Sequence, residues 1–226
     1  MLTIFFSFLF DIQFHVDLTL LSIAIVFPLV FTIRGSFRRR EKALEHLSQF
    51  RSALKTMYYF VNASNNLAEE KKKEISDILL EISDSSMDHL KNNMESTEAL
   101  DPVISKVQAF VTANGDVMSG RLKDRIFRFM NDLHESLENL HAINIHRTPI
   151  SLKAYCLLFI YIFPLIYAPT IIHDMGANNP IYVTYFVVIL TEFILISLYN
   201  IQDQLEYPFD DYGLDDIKLD SFKMDR

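Results

Sequence analysis

Residues 18–33, LTLLSIAIVFPLVFTI, carry no charge, and the chain then turns basic with Arg34, Arg38, Arg39, Arg40 and Lys42. An apolar stripe continues beyond them at Phe37, Leu44, Leu47, Leu54, Tyr58 and Val61, spaced by three, four or seven, which is helix periodicity with one buried face. A hydrocarbon core of about 30 Å needs about 20 residues of helix. The charge-free run is short for that span but extendable at both ends. The stretch therefore reads as a helix that starts in lipid and continues into water, with the basic cluster marking the cytoplasmic side. Pro28 lies inside it. Proline removes one helical hydrogen bond and crowds a preceding carbonyl, so a bend is expected there.

Two further apolar segments complete the membrane part, 154–172 with Pro164 and Pro169 as kink sites, and 181–199. Lys153 precedes the first of them, and the loop 173–180 between them has no Lys or Arg, as expected of the outer side. Residues 2–10, LTIFFSFLF, are too few to span, and they lack the early positive charge and small-residue cleavage site of a signal peptide. They read as an interfacial or half-length segment, followed by a polar connector with Asp11, His15 and Asp17 on the far side of the bilayer. Between Arg34 and Pro149 the patterns predict soluble helices over 36–61, 67–95, 101–112 and 120–145. The expected fold class is an all-α membrane protein. Its organisation is an N-terminal membrane region 1–33, a cytosolic helical region 34–150, two membrane helices within 151–199 and an acidic cytosolic tail 200–226. This is the pattern of a multi-pass protein of a plasma or inner membrane, its central region and C-terminus cytoplasmic.

Charge and composition narrow the function. The net charge is −8, and half of the 226 residues are hydrophobic. The basic residues of 34–60 outnumber Glu41 and Glu45 by seven to two, whereas the tail has eight acids against Lys218, Lys223 and Arg226. That acidic tail argues against nucleic acid as a partner. The single cysteine, Cys156, excludes a disulfide framework or a cysteine metal site. No phosphate-binding glycine loop, nucleophile elbow or hydrolase triad is present, so an enzyme is not expected. His134, His141 and His146 are spaced by seven and five, which does not place three imidazoles on one turn.

Two acidic features remain. Glu192 lies well inside the last membrane segment, where a carboxyl costs several kcal/mol unless paired, protonated or wetted. It reads either as a pore-facing or proton-linked group, or as a carboxyl bonded to a neighbouring helix near the cytoplasmic interface. Asp210, Asp211, Asp215 and Asp216 cluster hard oxygen ligands of the kind Ca²⁺ takes, without the EF-hand loop; the alternative is a solvated acidic turn. Calcium is the one ligand this pattern suggests, and no other cofactor or metal is expected.

The tail also carries a family resemblance. SLYNIQDQLEYPFDDYGLDDIKLD resembles the segment after the last membrane helix of bestrophins and their bacterial relatives, where an "E-x-L-x-x-PFG" type motif precedes "D-D-L-P-L-D". The matching positions are Gln204, Leu205, Glu206, Pro208 and Phe209, then Asp215, Asp216, Ile217, Leu219 and Asp220; Asp210 replaces the usual glycine. TIRGSFRRREKALEHL is similar to the family's "FRNN" segment after its pore helix, with Gly35 and Ser36 replacing the asparagines. The resemblance identifies the chain as an N-terminally short member, its first membrane helix half present at 2–10.

What the resemblance implies is a homopentameric ion channel in a lipid bilayer. The helix of residues 18–33 would line the pore, passing chloride or other small inorganic ions. The family's neck uses three apolar residues one turn apart before the arginine, which here selects Ile25, Leu29 and Ile33. Arg34, Arg38 and Arg39 would form a cationic vestibule below; the calcium clasp of the family's animal members needs both the acidic tail and the N-terminal segment, so calcium activation is not carried over. Two alternatives stand beside the channel: a non-conducting membrane scaffold, and a proton-linked transporter using Glu192.

Overall fold

The computed structural model describes residues 2–175 and 180–225. Four residues of the loop 173–180, 176–179, lie outside the described residues. Seven α-helices follow in order: α1 Leu2–Leu9, α2 Leu18–Asn62, α3 Glu69–Lys91, α4 Asp101–Ala113, α5 Gly120–Ile145, α6 Ile150–Met175 and α7 Ile181–Glu206. Short 3₁₀ turns cover Thr97–Ala99 and Leu219–Phe222, and the described residues contain no strand. The apolar run and the basic amphipathic segment are one 45-residue helix, α2, with Pro28 inside it. Its length is about 68 Å at 1.5 Å per residue, more than twice the hydrocarbon thickness.

Local chemistry sets the helix limits. Glu69 and Glu70 occupy the first turn of α3 and Lys91 its last, each charge complementing the helix dipole. Pro102 occupies the first turn of α4, where its missing N–H costs nothing. The Ser119 hydroxyl accepts from Leu122 N at 3.3 Å and caps α5. Among the described residues, helices α2, α6 and α7 are long and apolar enough to cross a membrane.

The chain divides into two compact units, Met1–Arg38 with Thr148–Glu206, and Arg39–Arg147 with Tyr207–Arg226. In the first, α6 packs along α7 and against α1. Its buried apolar groups form two small clusters: Ile25, Leu29, Cys156, Ile160, Phe163 and Leu195, and Ile4, Ala168 and Val188. At the ends of α6 and α7 lies a buried carboxylate. Glu206 accepts from Thr148 N at 3.0 Å and Gln202 Nε2 at 2.8 Å, and pairs with Lys153 Nζ at 2.9 Å. Lys153 also reaches Asp203 at 2.8 Å. Burial of Glu206 is tolerable because both of its oxygens are bonded.

The second unit has one continuous core, built from α3, α4, α5 and the soluble part of α2 around Phe50, Leu54, Leu79, Val107 and Leu133. The tail belongs to it. Phe209, Ile217, Leu219 and Met224 are buried in that core, Met224 N donates to Ser83 Oγ at 2.8 Å, and the Arg147 guanidinium lies 4.0 Å from the Tyr207 ring centroid. The acidic tail is thus a strap anchored by apolar side chains, with charge pairs such as Arg51–Asp225 at 2.7 Å along its edge.

Candidate functional site

The membrane half of α2 is apolar on every side, so burial decides which side could line a pathway. Ile25 and Leu29 are 2% and 0% exposed. With partly buried Ile33 they pack on Cys156, Ile160, Phe163 and Leu195 of α6 and α7. These three, which the family resemblance implied as the neck, pack toward the interior of their own unit. The opposite side of α2 exposes Ile23, Phe27 and Phe31 at 54%, 60% and 53%. Below them Arg34 and Arg38 are exposed.

Periodicity leaves both rows open. A spacing of four fixes a helical row but not its direction, and at 100° per residue a two-residue offset turns the row by about 200°. Both rows, 23/27/31 and 25/29/33, are apolar, as a helix inside a membrane allows. Burial against neighbouring helices is what separates them, and that information is not in the pattern of one helix. The exposed row has its own order: the Phe27 and Phe31 rings meet edge to face, centroids 4.7 Å apart. Val26, Val30 and Phe37 are exposed beside it.

The basic residues divide. Arg34 and Arg38 continue the exposed row, while Arg39 is partly buried and belongs to the second unit. Arg40 Nε donates to the Asp215 carbonyl at 2.9 Å and so serves to hold the tail.

Glu192 is half-buried in a cleft of about 530 Å³ lined by Leu2, Thr3, Tyr161, Pro164, Val188, Ile189, Phe193 and Ile196. It lies between α1, α6 and α7, apart from the exposed row of α2.

Among the described residues no three of the four tail aspartates converge, although Asp216 shares a hydrogen bond with Asp210. Asp211 pairs with Lys91, Asp210 accepts from Tyr212 N at 3.2 Å, and Asp216 accepts from Gly213 N at 2.6 Å. Asp215 is exposed and contributes its carbonyl to Arg40. Burial pushes the Asp216 carboxyl up to about 6, and the neighbouring Asp210 and Asp211 charges add to it. The Asp210 and Asp216 carboxylates bond within the turn 208–217, which Ile217 N closes onto the Pro208 carbonyl at 2.8 Å. Asp211 takes a left-handed backbone there, with φ of 63°.

Two arrangements have no counterpart in the sequence reading. Lys153 was there a topology marker and Glu206 a motif position; together with Thr148 and Gln202 they form the buried polar junction. His89, 4% exposed on α3, meets His141 of α5 with Nε2···Nδ1 at 3.1 Å. Burial holds His89 below the ordinary histidine range, and His141 lowers it further. His89 carries no local signal, because its partner is 52 residues away.

Three helices of spanning length, a helical soluble unit and a strapped tail define an all-α membrane protein. No family model matches the chain, and no curated protein sequence matches it. Solved structures do. Two structures of a bacterial bestrophin homolog from Klebsiella pneumoniae, each carrying a single substitution, superpose with TM-scores of 0.81 and 0.83 at 16% identity. They cover 97% and 98% of this chain and 88% and 89% of theirs. A third, described as a membrane protein, gives a TM-score of 0.83 over 98% of this chain and 88% of its own, also at 16% identity. The chain resembles bacterial bestrophin homologs, and its fold is bestrophin-like.

Proposed function

We propose that the chain is one subunit of a homopentameric ion channel that conducts chloride and other small anions, with α2 lining the pore. The observation that carries this reading is the exposed row of α2. Ile23, Phe27 and Phe31 are spaced by four and exposed although apolar, and two exposed arginines, Arg34 and Arg38, follow them on the same side. A ring of such helices makes an apolar constriction above a cationic mouth. Narrow apolar constrictions gate by expelling water, which an ion cannot cross with its shell intact. Guanidinium groups beneath raise the local anion concentration. The neck is accordingly assigned to Ile23, Phe27 and Phe31 in place of Ile25, Leu29 and Ile33, and the vestibule to Arg34 and Arg38.

The test is chloride flux through the purified chain in liposomes, with single-channel current in planar bilayers. Phe27→Ala and Phe31→Ala are expected to raise current several-fold, whereas Leu29→Ala leaves an open pore no wider. Unchanged conductance in both phenylalanine variants, with a gain in Leu29→Ala, overturns the new register. No flux, together with a complex mass other than five subunits, overturns the channel and favours the scaffold. The proton-linked transporter instead requires uptake that depends on pH and disappears in Glu192→Gln.

A further inference from the structure

The connector between α1 and α2 and the end of α6 meet at a point that neither segment marks alone. His15 Nδ1 lies 2.9 Å from Asp174 Oδ1, and His173 Nδ1 lies 3.1 Å from the same oxygen. The two imidazole rings are 5.7 Å apart, centroid to centroid. One donor atom from each of the three side chains falls within 4.8 Å of the others. Among the described residues this is the group of three metal-ligating side chains that converges so closely; the tail aspartates do not.

We propose that His15, His173 and Asp174 bind a divalent transition-metal ion of the zinc class at the N-terminal end of α2. A tetrahedral Zn²⁺ with bonds of about 2.0–2.1 Å holds adjacent donors about 3.3–3.4 Å apart. The two N···O separations are within a few tenths of an ångström of that. Two nitrogens and one oxygen suit zinc, cobalt, nickel or copper, whereas calcium and magnesium take oxygen ligands. All three side chains are exposed, so water completes the coordination. Each imidazole ligates through Nδ1 and keeps its proton on Nε2. Occupancy would tie His15 to Asp174, 159 positions further along the chain, in one joint, since His15 precedes α2 and His173 and Asp174 lie in the last turn of α6.

The experiment uses the full chain in detergent, stripped with a chelator and titrated with ZnCl₂ by calorimetry. Co²⁺ absorption serves as a spectroscopic readout of coordination. One saturable ion per chain is expected, with affinity reduced about tenfold or more in His15→Ala, in His173→Ala and in Asp174→Asn. Elution volume and thermal unfolding measured in chelator establish that each variant is folded. Mg²⁺ and Ca²⁺ at equal concentration are expected not to compete. The assignment is overturned by the absence of saturable zinc binding, or by binding that persists unchanged in the folded His15→Ala/His173→Ala double variant. Neither readout depends on ion conduction, so failure here leaves the channel reading untouched, and failure of the channel reading leaves this one.

Discussion

The two units solve opposite solvent problems. The unit of Arg39–Arg147 with Tyr207–Arg226 gathers its buried apolar groups into one core and, among the described residues, exposes few large apolar side chains, such as Tyr59, Val117 and Phe127. The unit of Met1–Arg38 with Thr148–Glu206 buries only two small clusters and exposes large apolar groups along α1, α2, α6 and α7. In water, exposure on that scale would drive association. In lipid, or against further subunits, it costs nothing, because hydrocarbon is as apolar as leucine. The difference teaches that exposure has different meanings along one helix. An exposed phenylalanine in the membrane half of α2 is tolerated by an apolar surrounding, whereas in the soluble half water makes each such exposure costly.

Truncating a large side chain in each region gives the widest separation. Phe50→Ala removes a fully buried ring from the soluble core, and a loss of about 3–5 kcal/mol is expected. Phe27→Ala removes a ring that the subunit leaves 60% exposed, and its effect on subunit stability is expected within about 0.5 kcal/mol. Thermal unfolding of both variants in the same detergent checks the contrast. Equal losses would break it, by showing that Phe27 is structural.

The buried polar junction tests whether the membrane unit depends on packing alone. Glu206→Ala removes the carboxylate that accepts from Thr148 N and Gln202 and pairs with Lys153, whose side chain is 19% exposed and also pairs with Asp203. Removing one partner of a buried pair costs about 3–5 kcal/mol; the low end applies here because Lys153 keeps its second carboxylate. A Lys153→Met/Glu206→Leu double variant is expected to recover most of that loss, measured by unfolding in detergent. No recovery would mean that the junction specifies the meeting of α6 and α7 beyond its charges.

The same contrast explains what the sequence could carry. Helix type and extent were legible: the α5 pattern predicted over 120–145 is Gly120–Ile145, and the expected continuity across Arg34 is the single helix α2. Charge-free runs and heptad-like spacings are local signals, and a long helix repeats them many times. Rotation was not legible in the membrane half, where Ile23, Ile25, Phe27 and Leu29 are alike in hydropathy. In the soluble half the polar residues mark the outer face, so Leu47 and Leu54 read as inward and are fully buried. Convergences such as His89 with His141, or His15 with His173 and Asp174, depend on how distant helices meet. The likeness of the tail to bestrophins was legible because its motif positions are contiguous.

A titration separates the units next. His89 has its pKa lowered in the fold by burial and by His141, with Glu138 opposing. The unfolded chain therefore takes up the proton first. The stability that neutral His89 confers is fully present above the ordinary value of about 6.5 and is lost as pH falls through the lower folded value. Unfolding of the soluble unit, followed from pH 7.5 to 5.5, is expected to shift to lower temperature, and His89→Asn to flatten that dependence. A wild-type slope that survives in His89→Asn would place the proton uptake elsewhere.

The smallest effect lies in the tail and has the opposite sign. The Asp216 carboxyl is raised from 3.8 to about 6, so the folded chain holds its proton where the unfolded chain has lost it. The stabilisation this supplies is complete below about 4 and is lost as pH rises through about 6. At pH 7 the ionised group is a cost, and Asp216→Asn is expected to stabilise the turn by about 1 kcal/mol, after discounting for partial solvent access. The amide oxygen of asparagine can still accept from Gly213 N, so the turn keeps its hydrogen bond. Global unfolding cannot isolate this gain, because His89 acts oppositely over an overlapping pH range. Exchange of the Gly213 and Ile217 amides can, since both are held by the turn itself. Slower exchange in Asp216→Asn at pH 7, with the difference vanishing near pH 4.5, is the expected pattern. A difference independent of pH would show that the substitution acts through shape and not through charge.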